Sequence, residues 1–424
     1  MKAEKLKKDQ KEFRSDVAVV GGGVAGLAAA VAAARVGAEA FLIERDGFLG
    51  GAATGGLVTN WQIGPDVKGS PVIRGIHEEI CERLQTYDAI QGNLFDPEIM
   101  KFVAFDLCED AGVRVLLHSL VFEVRTRNES VEELHIYTKR GLRRLIARTY
   151  VDASGDGDIA ALAGAGFQVG RLIDNLQQPM TLVFHLGNIN RERLQSVDWE
   201  KLHKMFEKEV NILAYRGRLS FGGRWWETGL FSFVLTHVAG LDGLDVEDLT
   251  RAEIEGRRQA LAIYRFFRKH VAGCEHCVIA TTASHIGVRE TRRIVGDYIL
   301  TREDVLSGRK FEDSIGCSTS WIDLHNPDGK GVLHELVVKD DWFEIPIRAV
   351  VVKGYDNLLV AGRCISATHE AQGAIRTMPS CIVTGQGAGV AAALAAKQNI
   401  SVRKLDINLL QRELSAQGVQ LGKH

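Results

Sequence analysis

Apolar residues in this chain change period several times, and each change marks a new element. Residues 17–20 are apolar without a break, glycines follow at 21, 22, 23 and 26, and an alanine-rich helical stretch leads to a second apolar run closing on Glu44. That pattern predicts strand, turn, helix and strand. Residues 73–90 have helical spacing, and 96–112 predict a helix capped by Asp96 with Pro97 in first position. From 113 to 148 the period drops to two over four short runs separated by turn residues, which predicts a small antiparallel meander. "VDASGDGDIAALAG" (151–164) reads as strand, small-residue turn and helix, with Asp156 near the helix start.

Beyond residue 170 the pattern is mixed. Strands are expected at 180–187, 278–284 and 342–351, helices at 198–209 and 247–270, and aromatic-rich strands around Trp225 and Trp226, which suit a core or pocket wall. "NLLVAGRCIS" (357–366) predicts a buried strand, and 379–397 a Gly/Ala-rich helix. No period of 20–50 residues and no low-complexity segment appears. The expected organisation is a flexible arm over 1–15, a nucleotide-binding domain over 16–169, an inserted mixed α+β substrate or cap domain over 170–345, and a return to the first domain over 346–424.

Composition narrows the classes. With 46% hydrophobic residues, 25% charged and a net charge of −2, the 424 residues can bury a large core, and no global field favours nucleic acid or an anionic membrane. The first sixteen residues mix Lys with Glu and Asp and contain no apolar segment, so no signal peptide is expected. No run of about 20 apolar residues predicts a membrane span. Seven scattered cysteines suit reduced thiols and a cytoplasmic setting. "CEHC" (274–277) has the spacing of a metal or redox pair, yet no second pair follows, so metal binding is not the expected reading.

The first glycine cluster carries chemistry. Gly21 suits the tight turn, Gly23 lets backbone approach a pyrophosphate, and Gly26 permits close packing of helix on strand, while the helix start offers free N–H groups to phosphate. Glu44 is placed to accept ribose hydroxyls and disfavours a 2′-phosphate. These features point to FAD or NAD. The second cluster, "GFLGGAATGGLVTNWQIG" (47–64), stands where an NAD domain would continue into a helix, and favours FAD. "GQGAG" (385–389) sits inside a helix with no strand before it, so a dedicated NAD(P)H domain is not expected. A small-molecule substrate would then exchange electrons with an outside acceptor: oxygen, a quinone or a protein. A homo-oligomer is compatible with this reading.

Four stretches in order, "VVGGGVAGLAAA" (19–30) with Glu44, "GGAATGG" (50–56), "VDASGDGDIAALAG" and "NLLVAGRCISATHEAQGAIRTMPSCIVTGQGAGVAAALA" (357–395), resemble the FAD-dependent oxidoreductase family. "HIGVRETRRIVGDYILT" (285–301) adds to the likeness, which covers nearly the whole chain. The resemblance lies within the glutathione-reductase-like flavoproteins, near the fumarate reductase and succinate dehydrogenase flavoprotein branch. It implies an α/β fold: a Rossmann-like FAD-binding domain, parallel sheet plus meander, with an inserted substrate domain. It further implies that Gly21, Gly23, Ala25 and Gly26 line the pyrophosphate, and that Glu44 and Arg45 hold the adenosine end. Gly51, Ala52 and Thr54 would border the ribityl chain and flavin, Val121 or a neighbour would meet adenine through main chain, and Ala153, Ser154 and Gly155 would flank the cofactor. Many relatives have an acid after the glycine matching Gly362; Arg363 stands here, where it could serve the phosphates instead.

In the resembled fold the C-terminal helix starts against the flavin pyrimidine. Pro379 suits its first position, leaving the N–H groups of Ser380, Cys381 and Ile382 to point outward and stabilise charge on the reduced ring. Residues 369–376 would border the flavin. His369 is then the candidate proton acceptor, or else a structural or substrate-binding histidine, with Glu370 to orient or replace it. Arg376 could clamp a carboxylate or the flavin carbonyls, or pair with Glu370. Arg289, Arg292 and Arg293 could bind an anionic substrate, although a solvated helix face tied to Glu290 is the expected place of the last two. The leading function is oxidation of a polar small molecule by hydride transfer to flavin N5, with a His/Glu pair handling the proton. Reduction of an activated C=C, or a non-catalytic electron-transfer subunit, are the alternatives.

Overall fold

The computed structural model describes residues 12–64, 67, 70–210, 221–222, 229–329, 331–337 and 341–422. Trp225, Trp226 and the first eleven residues of the expected arm lie outside that set.

In chain order the elements that place the site are β1 (Glu12–Val20), α1 (Val24–Arg35), β2 (Ala40–Ile43), α2 (Ile76–Thr86), α3 (Pro97–Ala111), β3 (Arg114–Leu116), β4 (Leu120–Arg127), β5 (Ser130–Thr138), β6 (Gly141–Asp152) and α4 (Asp158–Ala163). Then come β7 (Phe167–Val169), β8 (Phe184–Gly187), α5 (Trp199–Val210), β9 (Phe221–Gly222), β10 (Phe231–Phe233), α6 (Val246–His270), β11 (Val278–Thr282) and β12 (Arg292–Ile294). The last are β13 (Ser314–Ser318), β14 (Ile322–His325), β15 (Val332–Glu335), β16 (Phe343–Pro346), β17 (Leu358–Val360), α7 (His369–Ile375) and α8 (Met378–Gln398).

One seven-stranded sheet runs β3-β2-β1-β6-β5-β4, and β17 also pairs with β6. The pairs β3–β2, β2–β1, β1–β6 and β6–β17 are parallel, as the resembled nucleotide fold requires. Two expectations change here. The first run of the predicted meander, β3, leaves its neighbours and joins the parallel edge against β2, since alternation reports one exposed face and not the partner strand. Strand β1 also starts inside the expected arm: Glu12–Ser15 pair with Arg144–Ala147 of β6.

Helix α3 is built as its sequence dictates, with the Asp96 side chain accepting from the N–H groups of Glu98 (2.8 Å) and Ile99 (3.2 Å) and Pro97 following the cap. Helix α8 is the one described helix long and apolar enough to cross a bilayer, and its apolar stretch is buried. It lies on α1. A β-carbon on Gly385 would fall into the backbone of Ala25, and one on Gly389 into that of Ala29, so glycines every fourth position let the two helices touch backbone to backbone. Almost all of α1 and α8 is buried.

The second part of the fold is a four-stranded sheet in the order β9-β10-β8-β11, with α6 beside it. Its own apolar cluster holds Phe184, Phe206, Phe231, Phe233, Ile263 and Phe267. Helices α5 and α6 match their expected spans closely. The segment expected as one strand over 180–187 is regular only from Phe184; Met180 and Thr181 make isolated bridges to Val238 and Gly287.

Candidate functional site

The glycine-rich stretches, far apart in sequence, converge at the start of α1. Gly21 has φ of +99°, and a β-carbon there would lie within 2.8 Å of the Ser154 α-carbon, so the turn after β1 rests on Ala153–Ser154. The N–H of Gly50 donates to the carbonyl of Gly22 (2.8 Å), and a β-carbon on Gly51 would stand 2.9 Å from the Gly23 α-carbon. On the other side Gly362 sits over Ala25, and its N–H donates to the Thr384 hydroxyl (2.9 Å) on α8. Thr54 is buried, its hydroxyl donating to the Leu49 carbonyl (2.6 Å); Ala52 is exposed.

Glu44 closes the glycine cluster just past the end of β2. Its buried carboxylate accepts from the N–H groups of Gly22 (2.5 Å) and Asp46 (2.8 Å), which leaves lone pairs for hydroxyls. Arg45 is exposed beside it, and Val121 is buried on β4 two residues past Ser119, whose N–H meets the Glu44 carbonyl (3.0 Å). One position tests the fit to FAD. A β-carbon on Gly23, at the first turn of α1, would meet no atom within 4 Å, although the surrounding glycines are all in tight contact. The chain thus keeps a gap at a helix N-terminus where a phosphate would sit, and the residues present fit the dinucleotide.

Arg363 does not turn toward phosphate. Its Nε donates to the Gly155 carbonyl (2.7 Å), one terminal nitrogen to the Val288 carbonyl, and the other to Asp156 Oδ1 (2.5 Å). Asp156 also accepts from the Thr291 hydroxyl (2.6 Å), so this arginine ties the "SGDGD" turn to the loop between β11 and β12. Below it, Asp152 is fully buried, accepts from Ser154 and Ala160, and is pushed up to about 6 by burial.

Helix α8 starts one residue earlier than expected, at Met378, with Thr377 as its cap. The Cys381 N–H therefore already donates to the Thr377 carbonyl (2.9 Å), and Ile382 lies one residue deeper. Of the three expected outward N–H groups only that of Ser380 stays in the unpaired first turn, joined by that of Met378. The Cys381 thiol is pushed up to about 12 by burial and is inert.

His369 opens α7 and is buried. Its Nδ1 lies 2.8 Å from Glu290 Oε1, while its buried Nε2 meets no partner. Glu290 is itself fully buried, paired with Arg293 and accepting from the Gln178 N–H (3.3 Å). The carboxylate on His369 is therefore Glu290 and not Glu370, because adjacent helix positions do not face one another. Arg293 is equally far from expectation. It lies on strand β12, fully buried, and also donates to the carbonyls of Ala367 (3.1 Å) and Gly170 (2.8 Å). Arg292, on the other face of that strand, pairs with Asp158 (2.9 Å). Neither is on a solvated helix.

Two turns along α7, on the side that carries His369, Arg376 donates to the Asp323 carbonyl (2.5 Å) and carboxylate (3.2 Å), and its buried Nε has no acceptor. The expected pair with Glu370 is replaced by Asp323. Arg289 donates to the Pro179 carbonyl (2.5 Å) and the Thr181 hydroxyl (2.8 Å). Gln372 links the two ends, its amide donating to the Arg289 carbonyl (2.9 Å) and accepting from Gln178 (2.9 Å). Beside them His325 and His237 face each other with ring centroids 6.0 Å apart. Burial, with Arg289 nearby, holds His237 down at about 4 and His325 at about 2, so both are neutral. Gln178, Asp323, His237 and His325 had no local signal in sequence.

A family model described as FAD dependent oxidoreductase matches residues 16–414. The chain belongs to that family. It is an FAD-dependent oxidoreductase, and FAD is its cofactor. No curated protein sequence matches it. Among solved structures it is similar to a geranylgeranyl bacteriochlorophyll reductase-like protein from Thermoplasma acidophilum, at 14% identity and a TM-score of 0.46, over 97% of this chain and 85% of that one. It is also similar to p-nitrophenol 4-monooxygenase from Pseudomonas putida, at 11% identity and 0.47, over 97% and 91%. The flavin-dependent brominase Bmp2 gives 12% and 0.46, over 95% and 83%. The family match reaches the level of FAD-dependent oxidoreductases and no finer branch.

Proposed function

We propose that this oxidoreductase acts on an anionic polar small molecule, with His369 moving the proton and Arg376 and Arg289 gripping the negative group. FAD supplies hydride exchange at flavin N5 when bound. The observation that carries the reading is the buried His369–Glu290 pair with one ring nitrogen left open. Glu290 is paired with Arg293, and a carboxylate in an ion pair accepts and does not donate, which puts the imidazole proton on Nδ1. The Nε2 lone pair is then presented as a base. Arg293 positions Glu290, and Glu290 holds the tautomer. Arg376, with an unmet donor, and Arg289 supply positive charge beside two neutral histidines, a setting that favours a carboxylate over a neutral polar group.

Anaerobic addition of a panel of hydroxy, amino and saturated carboxylates to the yellow protein tests this. Bleaching of the visible band by at least one carboxylate, and by none of the matching amides, is expected; bleaching by the amides at equal rates would overturn the anionic reading. The same two guanidiniums suit reduction of a carboxylate-activated C=C. Return of colour to the pre-reduced protein on adding an enoate would favour that direction.

A further inference from the structure

The "CEHC" pair takes no part in the site above. Cys274 and Cys277 lie in the turn between α6 and β11, inside the apolar cluster of the second sheet, and both are almost fully buried. The turn is closed by backbone: the Cys277 N–H donates to the Cys274 carbonyl (3.0 Å), and the Cys274 N–H to that of Val271 (3.0 Å). A closed four-residue turn holds its end α-carbons within about 7 Å, and a disulfide spans about 4.4–6.8 Å. The two sulfurs are close enough to shift one another's ionisation. Both are free in this structure, and no group of three or more metal-binding side chains exists among the described residues.

The surroundings are built to hold this turn. The Glu275 carboxylate accepts from the Gly273 N–H (2.9 Å) and pairs with Arg193 (2.8 Å), and the Asn188 side chain donates to the His276 carbonyl (2.9 Å). Arg268 donates to the Glu275 carbonyl (3.3 Å) and places its charge beside the pair. Contact with Cys274, with this arginine nearby, pushes the Cys277 thiol down, whereas contact with Cys277 and burial push the Cys274 thiol up, which separates an attacking sulfur from a resolving one. Burial pushes the lone thiols of Cys81, Cys108, Cys317 and Cys381 up to about 12 instead.

We propose that Cys274 and Cys277 are a reversible dithiol–disulfide site whose oxidant is a low-molecular-weight disulfide. The Cys277 thiolate attacks one sulfur of the oxidant and releases its first thiolate. Cys274 then attacks the mixed disulfide, losing its proton, and a second thiolate leaves. Two S–H bonds and the oxidant's S–S bond break, one protein S–S bond forms, and two electrons pass to the oxidant, which departs as two thiols. Because the sulfurs are covered, attack waits on opening of the turn, which selects small disulfides over protein ones.

Holoprotein incubated with glutathione disulfide, then alkylated and digested, reads this directly. The expected result is loss of about 2 mass units from the segment containing Cys274 and Cys277, reversed by excess glutathione, with the other five cysteines alkylated. Cys277→Ala should abolish the crosslink. Cys274→Ala should trap a glutathione adduct on Cys277. An uncrosslinked pair in folded protein, where the unfolded chain under the same conditions does crosslink, would overturn the proposal, as would equal oxidation of the lone cysteines. The wild-type reading needs no variant to fold.

Discussion

At the scale of single residues, Gly23 and Gly26 are three apart and do different work. A side chain on Gly23 enters open space, whereas one on Gly26 enters the Gly21 carbonyl. Gly23→Ala should therefore fold normally and bind FAD at least about tenfold more weakly, while Gly26→Ala should lose about 1–3 kcal/mol of stability. Equilibrium dialysis and urea titration separate the two, and equal stability losses would remove the case for a phosphate above Gly23. At His369 the expectation is kinetic: His369→Ala should slow bleaching by roughly 100-fold with the FAD spectrum unchanged, and an unaltered rate would return the residue to a structural role. Glu290→Gln removes the carboxylate paired with buried Arg293 and should cost about 3 kcal/mol, read as a lowered urea midpoint.

At the scale of elements, helix α8 and helix α1 depend on one another. Gly389→Leu should drive the helices apart, lower stability by about 1–3 kcal/mol and release FAD on gel filtration; retention of both would show that the contact can relax. This pairing was partly legible beforehand, because a run of Gly and Ala with Pro near its start reads as a buried helix. The first βαβ unit was legible for the same kind of reason: its glycines, apolar runs and Glu44 sit within thirty residues and act on one another locally. What was hidden was tertiary. The carboxylate that orients His369 lies 79 residues earlier in the chain; the helical phase of α7 turns Glu370 away from His369 but cannot name the distant residue that takes its place. Arg293 misled because three arginines in five positions resemble a solvated face, whereas strand β12 turns it inward onto Glu290 and two carbonyls. Arg363 departs from the pattern of its relatives, and only the folded turn shows that Asp156 meets it.

At the scale of the molecule, buried histidines set the response to acid. His77, His185 and His237 are held down at about 4 and His325 at about 2, burial first among the causes in each. Below roughly 6.5 the unfolded chain binds protons that the folded chain refuses, so stability falls as pH drops, by up to about 1.4 kcal/mol per pH unit for each histidine. Asp152, raised to about 6, acts oppositely over its own window, since there the folded form holds the proton. Asp158, also raised by burial, acts with it, and four histidines against two carboxyls leave a net loss. The thermal midpoint should decline steadily from pH 7 to pH 5; a flat profile would mean that the imidazoles charge in place.

The central strand β1 lies between β2, made soon after it, and β6, on which β17 pairs in turn, while α1 is roofed by α8. During synthesis the nucleotide-binding half thus leaves the ribosome with the α8-facing side of its first helix uncovered, and stays so until more than three hundred further residues have emerged. A nascent chain stalled before Met378 would be a client for chaperones and unable to retain flavin, so cofactor loading must come after translation is essentially complete.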